Sequence, residues 1–474
     1  MRSDLDTLII GTGSAGLAAL REVRKRTQRF LLVNEGPWGT TCARVGCMPS
    51  KMLIEAANAF HARHTFDTFG LRGAQGLSAD IAAVLERVRA LRDDFVAGTL
   101  RASDAGAHAL SGSARLLGPG RVDIDGRVHE ARSIIVATGS RPIVPQEWLA
   151  FGDRILTTDT LFEQPALGPR VAVVGLGPLG VELAQALARL GLEVAAFGTR
   201  AQVAGLGDPA VNDALLARLK QEFIISVDGE VRLREVAGGI EVCNDAGPVV
   251  VDQVLAAMGR QPNLECLGLE TLGVPLDAHG LPPIEPCTLQ VGHLPVFIAG
   301  DADRDRPLLH EAADEGHIAG INAVLAAQGE PPRRFRRRTP LSIVFSQPNA
   351  AAVGLRHAQL EGQPHLVGEV DFARQGRARV AQHNYGLLRL YAQAGTGRLL
   401  GAEMCAPAGE HLAHLLALAI DRELTVHELL RMPIYHPVLE EGLRTALRDA
   451  ARQLAPASDS DLSDCEAFGS SALD

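Results

Sequence analysis

Two strand–turn–helix–strand units, Asp6 to Val33 and Pro169 to Phe197, and a change of style after an arginine run at 333–338 predict an α/β protein. Each unit is expected to build a domain with a mostly parallel sheet, and an α+β domain follows them. A chain of 474 residues has room for about three domains at roughly 150 residues each. The predicted limits are 1–150 together with 264–334 for a discontinuous first domain, 151–263 for the second and 335–454 for the third. The tail, 455–474, is rich in Ser, Ala and Asp and is expected to be disordered.

The first element, Asp6 to Gly11 (D-T-L-I-I-G), is a short apolar run of the buried-strand kind, and it breaks at Thr12 to Gly16 into a helical pattern. Phe30 to Val33 is a second strand ending at Asn34-Glu35. Helical periodicity runs from Lys51 to Arg63 and from Ile81 to Leu100, and Arg132 to Thr138 is another buried strand closed by Gly139. The pattern then restarts, with a strand at Pro169–Gly175, a helix at Pro178–Leu190 and a strand at Glu193–Phe197. Val296 to Gly300 is a strand ending in Asp301. The basic run P-P-R-R-F-R-R-R-T-P, holding Arg333 to Arg338, reads as a solvated linker. Beyond it, strands are expected at Leu341–Phe345 and Gly386–Tyr391 and helices at Gly409–Asp421 and Leu439–Leu454.

Bulk properties exclude several classes of partner. A formal charge of −10 argues against nucleic acid or an anionic membrane surface. No apolar stretch reaches the ~18 residues that cross a bilayer. The apolar segment Leu8–Leu20 is broken by glycines and lacks a basic leader, so it does not read as a signal peptide. Seven scattered cysteines do not resemble a secreted disulfide framework. A soluble protein of the reducing cytoplasm is expected, where a close cysteine pair is more often catalytic than structural.

Two glycine patterns carry the first chemistry. In G-T-G-S-A-G, Gly11, Gly13 and Gly16 allow a tight turn and close approach of a pyrophosphate to a helix N-terminus. Glu35, 24 positions after Gly11, stands where a carboxylate would accept hydrogen bonds from a ribose. The second pattern, G-L-G-P-L-G, places Gly175, Gly177 and Gly180 in the same arrangement, so both units read as Rossmann-like dinucleotide-binding domains. Here the strand ends in F-G-T-R, with Gly198 in place of the usual acid and Arg200 two positions later. Loss of the carboxylate and gain of an arginine favour a 2′-phosphate, hence NADPH over NADH.

The segment T-T-C-A-R-V-G-C-M-P-S-K holds Cys42 and Cys47. The spacing suits no zinc site, and no second ligand pair is evident, so no metal is expected. Five residues of ideal helix rise roughly 7.5 Å, beyond the usual Cα separation of a disulfide. Gly46 lets the turn distort so that a strained, readily reduced bond can close, and Pro49 fixes the chain's exit. Near the C-terminus, Y-H-P-V-L-E-E places His436 five residues before Glu441. An imidazole oriented by a carboxylate is a general base working near neutral pH.

Together these segments resemble the pyridine nucleotide-disulfide oxidoreductases, closest to the dihydrolipoamide dehydrogenase branch, over residues 5 to 450. C-x-x-x-x-G-C-x-P-S-K is the most specific element. A-T-G-S-R-P (Ala137–Pro142), A-M-G-R-Q-P-N (Ala257–Asn263), F-I-A-G-D (Phe297–Asp301) and F-S-Q-P-N-A-A-A-V-G (Phe345–Gly354) also match. The resemblance implies that FAD is held by the first glycine pattern, Glu35, Thr138, Gly139 and Asp301. It places the nicotinamide dinucleotide on the second pattern, with Arg200 and Gly259. Cys47 then faces the flavin and Cys42 exchanges with substrate. Lys51 lies near the flavin and pairs with Glu182, while His436, held by Glu441, serves the other subunit of an obligate homodimer. Electrons would pass between NAD(P)H, FAD, the Cys42–Cys47 pair and a small dithiol or disulfide such as lipoamide.

Departures from the pattern bear on the substrate. The lipoamide branch commonly carries H-x-H-P-T, whereas Ile434, Tyr435 and Val438 surround His436 here. No vicinal cysteine pair ends the chain, and Cys465 stands alone in the tail. Two other readings are an NADPH-dependent reductase of another small disulfide or quinone, and a non-catalytic FAD-bound redox sensor.

Overall fold

The computed structural model describes residues 5–454, so the tail expectation and Cys465 lie outside the described residues. The chain opens with β1 (Leu5–Ile10), α1 (Ser14–Val23), β2 (Phe30–Asn34), α2 (Thr41–Arg44), α3 (Cys47–His61) and α4 (Ile81–Ala102). Four strands follow: β3 (Ala109–Ser111), β4 (Ala114–Gly118), β5 (Arg121–Ile124) and β6 (Arg127–Val136). They lie in the order β3-β2-β1-β6-β5-β4, and a seventh strand from much later in the chain pairs with β6. Ile9 of β1 stands opposite Leu32 on one side and Ile135 on the other, in parallel register. Both faces of this inner part are covered, which is why its strands are continuous apolar runs. β6 begins five residues before the predicted Arg132. Its first half is polar and pairs antiparallel with β5, outside the doubly covered zone.

A two-stranded link, β7 (Ser140–Pro142) with the later β16 (Arg260–Pro262), joins this body to the next. Between them run β8 (Ile155–Leu156), α5 (Thr158–Leu161), β9 (Arg170–Val174), α6 (Pro178–Arg189), β10 (Glu193–Phe197), α7 (Pro209–Leu219) and β11 (Ile224–Ser226). An antiparallel meander, β12 (Arg232–Val236), β13 (Gly239–Asn244) and β14 (Gly247–Val251), precedes β15 (Gln253–Ala256). The parallel sheet has the order β11-β10-β9-β15-β8.

The seventh strand of the first sheet, β17 (Val296–Ile298), leads into α8 (Leu309–Gln328). This helix crosses α1 at small residues: a Cβ on Gly316 would stand 2.1 Å from the Ala15 carbonyl oxygen, and one on Gly320 2.7 Å from that of Ala19. Only glycine lets the two helices meet so closely. The final portion is an antiparallel sheet of order β18-β19-β22-β21-β20. Its strands are β18 (Leu341–Val344), β19 (Asn349–Gly354), β20 (His365–Asp371), β21 (Leu387–Gln393) and β22 (Leu399–Ala406), with α9 (Gly376–Val380) between β20 and β21. Helices α10 (Gly409–Asp421), α11 (Val426–Leu430) and α12 (Glu441–Ala451) complete it. The mixed architecture matches the predicted class of two parallel-sheet bodies and an α+β body. No helix of the described residues is long and apolar enough to cross a membrane.

The arginine run is irregular and largely solvated, as the sequence reading expects, but it is also an ion-paired strap, which that reading does not foresee. Arg334 pairs with Glu285, Arg336 with Asp421, Arg338 with Asp314, and Arg337 with both Glu311 and Glu315. The backbone of Arg333 exchanges two hydrogen bonds with the Asn322 side chain. Charge density alone could not reveal this, because the acids that neutralise the run come from three separate parts of the chain.

Candidate active site

The two glycine patterns fold alike. Gly11 and Gly175 both sit at φ +106°, where their absent side chains leave room for the carbonyls of Ala137 and Ala257, each 2.2 Å from an ideal Cβ. Gly16 and Gly180 repeat the fit against the oxygens of Gly11 and Gly175, at 2.0 and 1.8 Å. By contrast, a Cβ on Gly13 or Gly177 would meet nothing within 4 Å. Each of these is the N-cap of its helix and faces open space, which suits approach of an anion. A cleft of about 430 Å³ opens beside the first turn, lined by Thr12, Leu17, Trp38 and Gly39 among others.

Glu35 is exposed at the end of β2 and accepts a hydrogen bond from Ser113 Oγ at 3.1 Å. Its neighbour Asn34, which sequence reasoning passed over, ties the turn to the strand: Asn34 Oδ1 accepts from Thr12 N at 3.1 Å. In the second unit, Gly198 is buried against Leu176, whose Cδ1 lies 3.0 Å from an ideal Cβ, so no larger side chain fits without a shift. Arg200 is exposed and makes no ion pair among the described residues.

Cys42 lies on α2 and Cys47 opens α3, not the middle of one helix; the predicted start at Lys51 is four residues too late. The break between them needs Gly46. A Cβ there would stand 3.1 Å from Cys42 Cα and 3.1 Å from the Thr41 oxygen. The two thiols are hydrogen-bonded to each other, and the sharing is uneven. The bond from Cys42, with help from Lys51, lowers the Cys47 thiol to about 7 against burial and Glu182. The same bond, then burial, raises Cys42 well above the usual thiol range.

One helical turn after Cys47, Lys51 Nζ meets Glu182 on α6 at 2.8 and 3.0 Å. Glu182 also accepts from Phe345 N at 2.8 Å, and Lys51 lies 4.6 Å from the Phe345 ring centre. Three parts of the chain therefore converge on one buried carboxylate. Gln185 and Arg189 extend the seam along α6. Gln185 exchanges hydrogen bonds with the Gln347 backbone, and Arg189 reaches Glu222 at 2.7 Å, Asn58 at 2.6 Å and the Gln347 side chain at 2.5 Å. A signal for these was present: polar residues at 182, 185 and 189 share one face of an otherwise apolar helix.

Asp301, just after β17, accepts from Ser140 Oγ at 2.6 Å, and Arg260 Nε donates to the same Ser140 oxygen at 2.9 Å. Asn263 clasps the other side, donating from its backbone to Gly139 O and from its side chain to Thr138 O. The A-T-G-S-R-P and A-M-G-R-Q-P-N segments are thus interlocked, and Gly259, at φ +99°, accepts from Ile143 N at the same junction.

His436 stands apart from the other candidate residues. Its Nδ1 is 3.0 Å from Glu441 Oε1, but the side chain is 79% exposed and bonds to none of Cys42, Cys47, Lys51 or Glu182 of its own chain. Glu441 is anchored by Arg444 at 3.2 Å and by Val438 N at 3.3 Å. The hydrogen bond from His436 holds the Glu441 carboxyl below its usual range.

Residues 5–316 match the pyridine nucleotide-disulphide oxidoreductase family, and residues 341–447 match its dimerisation domain. The chain belongs to this family. Among its relatives is a dihydrolipoyl dehydrogenase of Thermus scotoductus, 31% identical over 94% of this chain and 98% of that one. A glutathione reductase of Burkholderia cepacia is 29% identical over 93% and 98%. The fold is shared with the Cu(II) complex of the HOCl-induced flavoprotein disulfide reductase RclA from Escherichia coli, at a TM-score of 0.81 and 20% identity, covering 94% of this chain and 99% of that one.

Members of this oxidoreductase family depend on FAD and NAD(P), and the residues present fit the flavin nucleotide. Thr12 Oγ1 and Thr138 Oγ1 are buried at the first glycine turn without a hydrogen-bond partner, the orphaned groups that a bound polar ligand would satisfy. At the second turn Met258 stands in the place of Thr138: its N lies 3.1 Å from an ideal Cβ on Gly175, as Thr138 N lies 3.2 Å from one on Gly11. The dimerisation domain of the oxidoreductase supports a homodimer.

Proposed function

We propose that this oxidoreductase reduces a small disulfide with electrons taken preferentially from NADPH, through Cys42 and Cys47. The observation that carries the reading is the Cys42–Cys47 pair, bonded thiol to thiol across the Gly46 break and set one turn from the Lys51–Glu182 pair. Cys42, the thiol away from the Lys51 charge, attacks the substrate disulfide and forms a mixed disulfide, releasing the first thiol. The Cys47 thiolate then attacks the Cys42 sulfur, which closes the Cys42–Cys47 disulfide and releases the second thiol. FAD and NADPH, when bound, supply the hydride and electron-pair transfer that restores the dithiol. His436 of the partner subunit takes the proton from Cys42 and returns it to the leaving thiolate, with Glu441 fixing its ring.

The preference for NADPH rests on Gly198 and Arg200, one offering no carboxylate and the other a guanidinium with no ion-pair partner among the described residues. A second reading, lipoamide as substrate, is favoured by the 31% identical dihydrolipoyl dehydrogenase. Its flux would run toward the reduced dinucleotide. To test the first reading, NADPH is added anaerobically to the oxidised protein. Titratable thiols should rise by about two per chain in wild type and not at all in Cys47→Ser. In turnover over a disulfide panel, kcat/KM should be higher with NADPH than with NADH, and Arg200→Ser should reduce that ratio roughly tenfold. No gain of thiols would remove the dithiol mechanism; NADH and lipoamide as the faster pair would replace the first reading with the second.

A further inference from the structure

Arg337 differs in kind from the rest of its run. The side chains of Arg334, Arg336 and Arg338 are about seven-tenths exposed, and ion pairs of that sort contribute little. The Arg337 side chain is 11% exposed, and its Nε is buried with no partner. Two carboxylates keep it there. Arg337 Nη2 reaches Glu311 at 2.8 Å and Glu315 at 2.5 Å, both on α8 and both buried.

The second oxygen of Glu315 accepts the Gly300 amide at 2.6 Å. Gly300, at φ +74°, opens the turn that carries Asp301 and packs against Ala15 of α1, beside the first glycine pattern. A chain of contacts therefore runs from the strap entering the dimerisation domain, through Glu315, to the turn at the flavin site. Acids outnumber bases in this cluster. Asp303, Asp305, Glu311 and Glu315 face Arg306 and Arg337, four acids against two guanidinium groups. Burial, then Glu315, pushes Asp303 up to about 8, so the cluster retains a proton near neutral pH. Removing a guanidinium from such a site leaves a buried carboxylate uncompensated.

We propose that Arg337 is a positioning residue for the flavin site: it holds Glu315 on the Gly300 amide and so fixes the turn from which Asp301 reaches the cofactor. The assignment rests on the reading that Asp301 holds FAD. The experiment measures the FAD dissociation constant by reconstitution of the full-length protein, with thermal stability of the apoprotein recorded alongside. Arg337→Met should raise the constant about tenfold or more, and Arg337→Lys, which keeps the charge but loses the fork, by a few-fold. Arg336→Met on the exposed side should leave it unchanged. An apoprotein destabilised by Arg337→Met with FAD affinity within about twofold of wild type would overturn the assignment, since that is a purely structural role. If Arg337→Met does not fold, the Lys variant decides in the same way. Asp301→Asn separates the two layers. Weak FAD binding there with unchanged binding in the Arg337 variants defeats only the positioning role; intact binding in Asp301→Asn defeats the underlying reading as well.

Discussion

Between Cys42 and Cys47 there is one hydrogen bond and one readily lost proton, and the negative charge settles on the sulfur nearer Lys51. Cys47 is lowered first by the Cys42 bond and then by Lys51, while burial and Glu182 oppose both. Because a lowered thiol is ionised above its pKa, the reduced protein should show a single thiolate appearing as pH rises through about 7. Cys42 stays protonated over the same range. Lys51→Met removes the nearby cation and leaves Glu182 unpaired, so the titration should move up by roughly one pH unit or more. Ultraviolet thiolate absorbance against pH reads this directly; an unchanged titration would mean that the Cys42 bond alone sets the ionisation. At this scale the sequence was informative where chemistry is written into residue type. Cys42, Cys47, Lys51 and Glu182 were singled out, and they stand together. Ser140, Phe345 and Arg189 were passed over because their contacts reach far along the chain, and Asn34 because an amide at a strand end announces no chemistry by its type. Arg189, for instance, is bonded to Asn58, 131 positions earlier.

Helices and strands were legible wherever burial is continuous. The bounds of β10 and α10 coincide with the predicted Glu193–Phe197 and Gly409–Asp421. The meander β12–β14 was overlooked although its signals were present: Gly238-Gly239 and Asp245 to Gly247 mark its two turns, and in β13 the buried Ile240 and Val242 alternate with the less buried Glu241. α7 did have a signal, Asp208 as N-cap followed by Pro209 at the first position, which pure apolar periodicity overlooks. The glycine turns give the sharpest test at the level of the element, because neighbouring glycines on one helix have opposite reasons to be glycine. Gly177→Ala adds a methyl to open space at φ −68° and should leave folding intact, with a thermal midpoint close to wild type. It should nevertheless weaken NADPH binding, because the methyl occupies the space the pyrophosphate would approach. Gly180→Ala drives a methyl to 1.8 Å from the Gly175 oxygen and should cost about 3 kcal/mol or more of stability. Denaturant unfolding and nucleotide titration of the two variants check the pair; equal destabilisation would refute the distinction between a packing glycine and a ligand-facing one.

For the molecule as a whole, the decisive feature is the separation of His436 from the thiols of its own chain. The strap and the α6 seam bind the third body to the other two, through the Arg337 ion pairs with Glu311 and Glu315 and the hydrogen bonds of Glu182 to Phe345 and of Gln185 and Arg189 to Gln347, so that body does not turn toward Cys42 without breaking them. Glu441 and Arg444 hold the ring in an exposed position, next to Tyr435, which is 82% exposed. An oriented base and a large aromatic ring turned to solvent make sense when a second copy of the chain covers them. If each site is built from both chains, a mixed dimer of Cys47→Ser with His436→Gln contains one site carrying both defects and one carrying neither. It should recover about half of the wild-type disulfide reductase activity, although either homodimer alone is strongly impaired. If the thiols and the imidazole of one chain served each other, both sites of the mixed dimer would carry a defect and no activity would return. Co-expression with two affinity tags, followed by sequential purification and turnover assay, distinguishes these cases without any structural assumption about the interface.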